Sequence, residues 1–198
     1  MSKATPTLAV SAAKTPGAFE QPTRVEPTDS PEPANVADPA ASHVAARRPS
    51  SLVLPSGTVM RVRPVSTLPD RELAIPRDTN QAGWWDGSSK LGEPYGSTVM
   101  AGHVDSFEHG LGRFAELLEA RPGEIFTVTA AGLSQRFQVT RAELVSKATL
   151  SAESELFDVQ GDRRLVLITC GGSYDVQRGG YQDNMVVIAE PQSEPAER

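Results

Sequence analysis

The sequence predicts a mainly β protein, either a closed β-barrel or a β-sandwich, with one or two short helices. Many short apolar or alternating segments are separated by turn residues, which is the pattern of β-strands joined by tight loops. Only one segment has a clear helical pattern, and the chain contains no internal repeat. At 198 residues the chain is long enough for one domain with a substantial core.

Seven segments carry the strand signal. TVMRVRPV alternates apolar and polar residues as a half-buried strand does, whereas RLVLITC and NMVVIAE are the most apolar and are predicted to be central or well covered. Ala131-Gly132 separates two segments as a hairpin turn would. In chain order, the predicted strands span residues 58–65, 72–76, 97–103, 124–130, 135–144, 164–170 and 184–190.

The predicted helix is FAELLEA at residues 114–120, which is followed by Arg121-Pro122-Gly123. A proline and a glycine directly after a helical pattern mark its end. A single helical turn is also predicted within residues 78–90, in the sequence DTNQAGWWDGSSK.

The two ends of the chain differ in composition from its middle. Residues 1–50 hold eight of the sixteen prolines, eleven alanines and one aromatic residue, Phe19. Such a segment buries too little apolar surface to offset the entropy lost on ordering. We therefore expect a disordered Pro/Ala-rich spacer at residues 1–51, a folded catalytic domain at 52–190 and a disordered tail at 191–198.

Composition excludes several kinds of partner and site. The net charge of −6 argues against nucleic acid as a partner. The single cysteine excludes an intrachain disulfide and any multi-cysteine zinc site. No apolar run approaches the ~18 residues that span a bilayer, and the first residues lack the apolar core of a signal peptide.

Two strand ends carry residues suited to thiol chemistry. Cys170 closes an apolar strand and is followed by Gly171 and Gly172, while His103 closes another apolar strand 67 residues earlier. A lone cysteine is often a small buried hydrophobe, and a lone histidine is often structural. Their position at strand ends instead favours a nucleophile and its base at one rim of a barrel.

Further residues near this pair are candidates for supporting roles. Acyl transfer needs a donor aimed at the developing oxyanion, and both Arg178 and Asn184 qualify. It is equally consistent with the sequence that Arg178 is a solvated charge in a loop and that Asn184 is a turn residue at the start of a strand. Thr169 offers a hydroxyl next to the thiol, and Asp105 either orients the imidazole or caps the following loop.

A metal site is the alternative for the same residues. His103, Asp105 and Cys170 could hold zinc with one open position. No HxxxH or CxxC spacing supports such a site. We therefore predict neither a metal nor another cofactor.

In order along the chain, these motifs resemble the sortases, the cysteine transpeptidases of Gram-positive surfaces. LITC with CGGSYD and GGYQDNMVVIA resembles the segment around the sortase nucleophile, and VMAGHVDS resembles its catalytic-histidine segment. LAIPRDTNQAGWW, GEPYGSTVMAGHVDS and the helix GRFAELLEA resemble the class F sortases of actinobacteria in particular. The resemblance covers roughly residues 52–190.

The resemblance implies an eight-stranded sortase-type closed barrel in which Cys170 attacks the threonine carbonyl of an LPxTG-like sorting signal. It also implies that His103 protonates the leaving amine and later deprotonates the incoming amine. Many sortases carry an arginine on the last strand facing the cysteine. Counting back along NMVVIAE puts Asn184 at that position, so either this amide or the loop residue Arg178 is expected to serve the oxyanion.

The resemblance further implies the partners and the place of action. The partners are a sorting-signal peptide and an amine acceptor such as a cell-wall precursor or a pilin, with a monomeric enzyme on the outer side of the cytoplasmic membrane. Contact with the membrane is expected only through an N-terminal anchor that this sequence does not contain. Two alternatives stay open: a cysteine hydrolase of the same fold without efficient transfer, and a catalytically inactive binding module.

Overall fold

The computed structural model describes residues 44–69, 72–150 and 154–197. The first 43 residues of the predicted spacer therefore lie outside the described residues. Within the described part, nearly every strand joins one sheet, and only the two-residue strands Asp105–Ser106 and Gly110–Leu111 pair apart from it.

In chain order the strands are β1 Pro49–Val53, β2 Val59–Val65, β3 Gln81–Trp85, β4 Ser97–Ala101, β5 Asp105–Ser106, β6 Gly110–Leu111, β7 Ile125–Ala130, β8 Leu133–Ser146, β9 Arg164–Asp175, β10 Gly180–Pro191 and β11 Ala196–Glu197. Eight strands of the main sheet form a closed barrel, in the order β10-β9-β4-β3-β2-β1-β7-β8. Pairing of β8 with β10 closes the ring, which confirms the predicted barrel and excludes the sandwich.

The barrel interior is filled by apolar side chains from all eight strands. Alternate residues of a strand point to opposite faces, so one set from each strand turns inward. Trp84, Phe126 and Phe137 are fully buried there, and Leu167 and Val187 come from the two most apolar strands. Burial of these side chains is the main term that stabilises the barrel.

A second apolar cluster lies on the outer face of β4, β9 and β10. Ala101, Ile168 and Val186 represent the three strands in this cluster, and each is nearly inaccessible to solvent. The residues that cover it come from the segments before β3 and before β9, and Trp85 and Phe157 meet edge to face with ring centroids 5.8 Å apart. Both faces of these strands are therefore covered, which explains why their sequences are apolar almost throughout.

The predicted helix at 114–120 forms as the 3₁₀ helix Arg113–Glu119. Phe114 and Leu117 are its buried residues and pack into the barrel interior. The Phe114 ring lies directly against Gly102, where an added Cβ would be 2.8 Å from a ring carbon. The other described helical segments are single turns at Lys147–Leu150, Ser154–Phe157 and Val176–Arg178. None of the described helices is long and apolar enough to span a membrane.

Two predicted elements are wrong. Residues 78–90 do not form a helical turn but contain β3, which pairs in parallel with β2 and buries Trp84 in the core. Residues 72–76 do not form a strand, and Leu73 makes only an isolated bridge to Thr67. The apolar residues of this segment instead cover the outer face, so their hydrophobicity reflects packing rather than sheet pairing.

Two predicted domain borders fall inside strands. β1 begins at Pro49, before the expected border at residue 52, because its Ser51 and Leu52 already pair with β2 and β7. At the other end, β10 continues to Pro191, and β11 pairs with the start of β8. Both borders were misplaced because the sequence around Pro49 and Pro191 is polar and contains proline, which is not the usual composition of a strand.

Replacing Phe114 with alanine tests how strongly the 3₁₀ helix anchors the barrel. We expect Phe114→Ala to lower the free energy of unfolding by about 3–5 kcal/mol, because a fully buried ring is lost and a cavity remains under Gly102. The measurement is guanidinium-induced unfolding. Leu118→Ala is the matched control on the same helix, and since Leu118 is 40% exposed it should cost about 1 kcal/mol or less. Equal losses in both variants would contradict this packing.

Candidate active site

Parallel pairing of β4 with β9 brings His103 and Cys170 to the same edge of the sheet. The register pairs Ala101 with Ile168, and the Gly102 amide still donates to the Ile168 carbonyl at 3.2 Å. His103 and Cys170 each lie two residues beyond that pair, so their side chains follow Ala101 and Ile168 on the outer face. Both residues are half-buried.

Cys170 does not end its strand, contrary to the sequence prediction. β9 continues to Asp175 and turns back into β10 as a long hairpin. Gly171 is buried, and a Cβ there would be 3.0 Å from Leu144 and 3.2 Å from the Met185 amide nitrogen. This glycine therefore allows close strand packing directly after the thiol, rather than an open approach for substrate.

Asn184 lies opposite Cys170 on the antiparallel strand β10. Opposed residues of an antiparallel pair share a face, so the amide side chain projects beside the thiol. Asn184 is 9% exposed and so offers an amide donor that is largely shielded from water. The count along the last strand thus identified the residue that faces the cysteine.

Thr169 joins the two strands from the inner face. Its hydroxyl is buried and donates to the Gly102 carbonyl at 2.9 Å. Gly102 is the residue just before His103, and Thr169 is the residue just before Cys170. The hydrogen bond therefore fixes the two backbones relative to each other immediately before the imidazole and the thiol.

Gly112 supports the backbone of His103 from the other side. Its amide donates to the Val104 carbonyl at 2.8 Å, and a Cβ at this position would be only 2.5 Å from the His103 carbonyl oxygen. Thr79 packs against the same glycine. No side chain fits between these backbones, which explains the glycine at this position.

Asp105 is held by Tyr181, a residue that the sequence interpretation did not single out. The Tyr181 hydroxyl donates to Asp105 Oδ2 at 2.6 Å. This hydrogen bond, with desolvation and the nearby charges of Asp105 and Cys170, raises the pKa of Tyr181 to about 12. The available signal was an aromatic residue three positions before Asn184, in the sequence YQDN.

Arg178 is not part of the Cys170–Asn184 pair. It ends the 3₁₀ turn Val176–Arg178 at the tip of the β9–β10 hairpin and is exposed. There it lines an open cleft of about 550 Å³ together with Lys147 and Asp183. The structure thus places Arg178 at the hairpin tip, in a cleft whose lining does not include Cys170, His103 or Asn184.

The described residues contain no group of three or more His, Cys, Asp or Glu side chains that could hold a metal ion. What Cys170, His103 and Asn184 offer instead is a thiol, an imidazole and an amide at one strand edge. That set is suited to nucleophilic acyl transfer, in which the thiol attacks a carbonyl, the imidazole moves protons and the amide stabilises an oxyanion.

Comparisons with known proteins identify the family and the fold. A sortase-domain family model matches residues 60–192, and no curated protein matches the chain. Among solved structures, sortase A of Listeria monocytogenes is similar with a TM-score of 0.54 at 18% identity, covering 78% of this chain and 92% of that chain.

Two further solved structures have the same fold. The SrtA sortase of Actinomyces oris is similar with a TM-score of 0.56 at 23% identity, covering 83% of this chain and 90% of that chain. Sortase C2 from pilus island 1 of Group B Streptococcus gives a TM-score of 0.56 at 20% identity, with 76% of each chain covered. The sortase-domain family model matches more than half of this chain. The chain therefore belongs to the sortase family of cysteine transpeptidases, which act at the cell surface.

Proposed function

We propose that this chain is a class F-like sortase that cleaves an LPxTG-like sorting signal through a thioester on Cys170 and passes the acyl group to a cell-wall or pilin amine. The observation that supports the proposal best is the shared register of β4 and β9, which ends at the Ala101–Ile168 pair, two residues before both His103 and Cys170. The proposed place of action is the outer face of the cytoplasmic membrane, where sorting signals and wall precursors meet.

The first proposed step forms the thioester. The Cys170 thiol gives its proton to His103 as its sulfur attacks the threonine carbonyl, and the resulting oxyanion accepts a hydrogen bond from the Asn184 amide. The C–N bond to the following residue then breaks, and His103 gives a proton to the departing amine. The product is an S-acyl enzyme plus the peptide C-terminal to the threonine.

The second proposed step reverses these roles. An incoming primary amine attacks the thioester while His103 takes its proton, and His103 passes that proton to the departing sulfur as the C–S bond breaks, which restores the Cys170 thiol. Water entering instead would give hydrolysis, which is the alternative outcome of the same acyl-enzyme.

Mass spectrometry of the protein mixed with an LPxTG-type peptide tests the function directly. We expect a thioester adduct on Cys170, a released C-terminal fragment, and a transfer product when an amine is added. Cys170→Ala should give none of these while its unfolding transition stays close to wild type. Cleavage by Cys170→Ala would contradict the proposed nucleophile, and hydrolysis unaffected by any added amine would assign a hydrolase instead.

His103→Ala should slow peptide cleavage by about two to four decades, the usual scale for general acid–base catalysis. The cleavage rate is measured by steady-state kinetics with the same peptide. His109→Ala is the matched control, because His109 is exposed in the hairpin of β5 and β6 and interacts with Ser106 rather than with the site. An unchanged rate in His103→Ala would remove His103 from the proposed mechanism.

Asn184→Ala and Arg178→Ala should separate the oxyanion donor from a binding residue. Loss of one preorganised donor costs about two to three decades in kcat, so Asn184→Ala should lower kcat. Arg178 is exposed at the hairpin tip, so Arg178→Ala should mainly raise KM. Gln182→Ala is the control on the same strand, since the Gln182 amide donates to Gly180. The reverse pattern would move the oxyanion role to Arg178.

A further inference from the structure

We propose that Tyr181 is a positioning residue that holds the His103 segment in place through Asp105. Its hydroxyl donates to Asp105, two residues after His103, and Tyr181 itself belongs to β10, three residues before Asn184. The contact therefore connects the segment that carries the imidazole to the hairpin that carries the thiol and the amide. The catalytic consequence, though not the contact itself, rests on the proposed sortase function.

The segment after Gly102 is no longer held by the main sheet, so another contact has to fix its position. The sheet pairs β4 with β9 only as far as Ala101 and Ile168, and the last main-chain hydrogen bond between them comes from the Gly102 amide. From His103 onward the chain leaves β9 and pairs next in the short hairpin of β5 with β6. Phe107 in that hairpin is fully exposed, so the hairpin has little packing of its own at its tip.

Two side-chain hydrogen bonds from the β9–β10 hairpin reach the two sides of His103. Thr169 donates to the carbonyl of Gly102, one residue before the histidine. Tyr181 donates to the carboxylate of Asp105, two residues after it. With Gly112 against the His103 carbonyl, these contacts leave the backbone of the histidine little freedom to move away from Cys170.

Tyr181 is itself held in place. Its ring meets the ring of Tyr174 edge to face, with centroids 5.0 Å apart, and the two residues are paired in the register of β9 and β10. The raised pKa of Tyr181 keeps its hydroxyl protonated throughout the neutral pH range, so the donor is always present.

The geometry favours a positioning role over a direct chemical one. A tyrosine hydroxyl has a single proton, and here that proton is donated to Asp105. It is therefore not free to stabilise an oxyanion at Cys170. Among the described residues, Asp105 has no hydrogen bond to the His103 imidazole, so the connection from Asp105 to His103 runs through the backbone that joins them.

Tyr181→Phe tests this inference, because it keeps the ring and removes only the hydroxyl. Tyr174→Phe is the matched control, since it removes a hydroxyl from the partner ring of the same aromatic pair, which is 64% exposed. Two readouts are needed: steady-state kcat and KM with an LPxTG-type peptide, and amide hydrogen exchange of residues 102–106 in the protein without peptide.

We expect Tyr181→Phe to lower kcat roughly ten-fold with KM within about two-fold, the scale of one hydrogen bond to a charged group. Exchange at residues 103–106 should accelerate, whereas Tyr174→Phe should match wild type in both readouts. The double variant Tyr181→Phe/Asp105→Ala should be no slower than Asp105→Ala alone, because each change removes one partner of the same hydrogen bond.

Several results would overturn the inference. Unchanged exchange in Tyr181→Phe would show that the contact does not hold the segment, whatever the kinetics. A rise in KM alone would assign Tyr181 to substrate binding, and additive losses in the double variant would separate it from Asp105. If wild type cleaves no sorting peptide while Tyr181→Phe still loosens residues 103–106, the positioning contact stands and the proposed function fails.

Discussion

The parallel pairing of β4 with β9 is the constraint on which the site depends. These strands are far apart in sequence, yet their register brings Ala101 beside Ile168 and lets Thr169 bond the Gly102 carbonyl. Because side chains alternate along a strand, that register alone decides which face His103 and Cys170 share. A slip of one residue would turn one of them into the barrel interior, so the hydrophobic pattern that sets the register also assembles the proposed catalytic pair.

The contacts that pack the barrel therefore also set the geometry of the site. Phe114 packs against Gly102 inside the barrel. Gly112 lies so close to the His103 carbonyl oxygen that no side chain would fit between them. Both glycines lie next to the loop in which the chain leaves the sheet. Rigid strands fix the thiol and the amide, while these close contacts and the Tyr181 hydrogen bond position the imidazole, which lies beyond the last strand pair.

Much of the fold was predictable because the core strands are strongly apolar. The sortase resemblance pointed to Asn184 as the residue facing the cysteine, and Asn184 does pair with Cys170, although Cys170 lies inside β9 rather than at its end. Strand β3 was missed because QAGWW is short, contains a glycine and does not alternate apolar and polar residues. Tyr181 was missed because its partner, Asp105, is 76 residues away, and no local pattern reports a hydrogen bond across that separation.

The most direct test of the shared register is a disulfide between its two proposed catalytic positions. In the His103→Cys variant a thiol replaces the imidazole two residues beyond the Ala101–Ile168 pair, and if the two backbones stay at the ~5 Å spacing of paired strands, the two thiols come within disulfide range. We expect mild oxidation to form the 103–170 disulfide, detected by mass spectrometry of a non-reduced digest. Val104→Cys should not form one, since Val104 is buried one residue further along. Disulfide formation by Val104→Cys but not by His103→Cys would contradict the register and, with it, the assignment of the site.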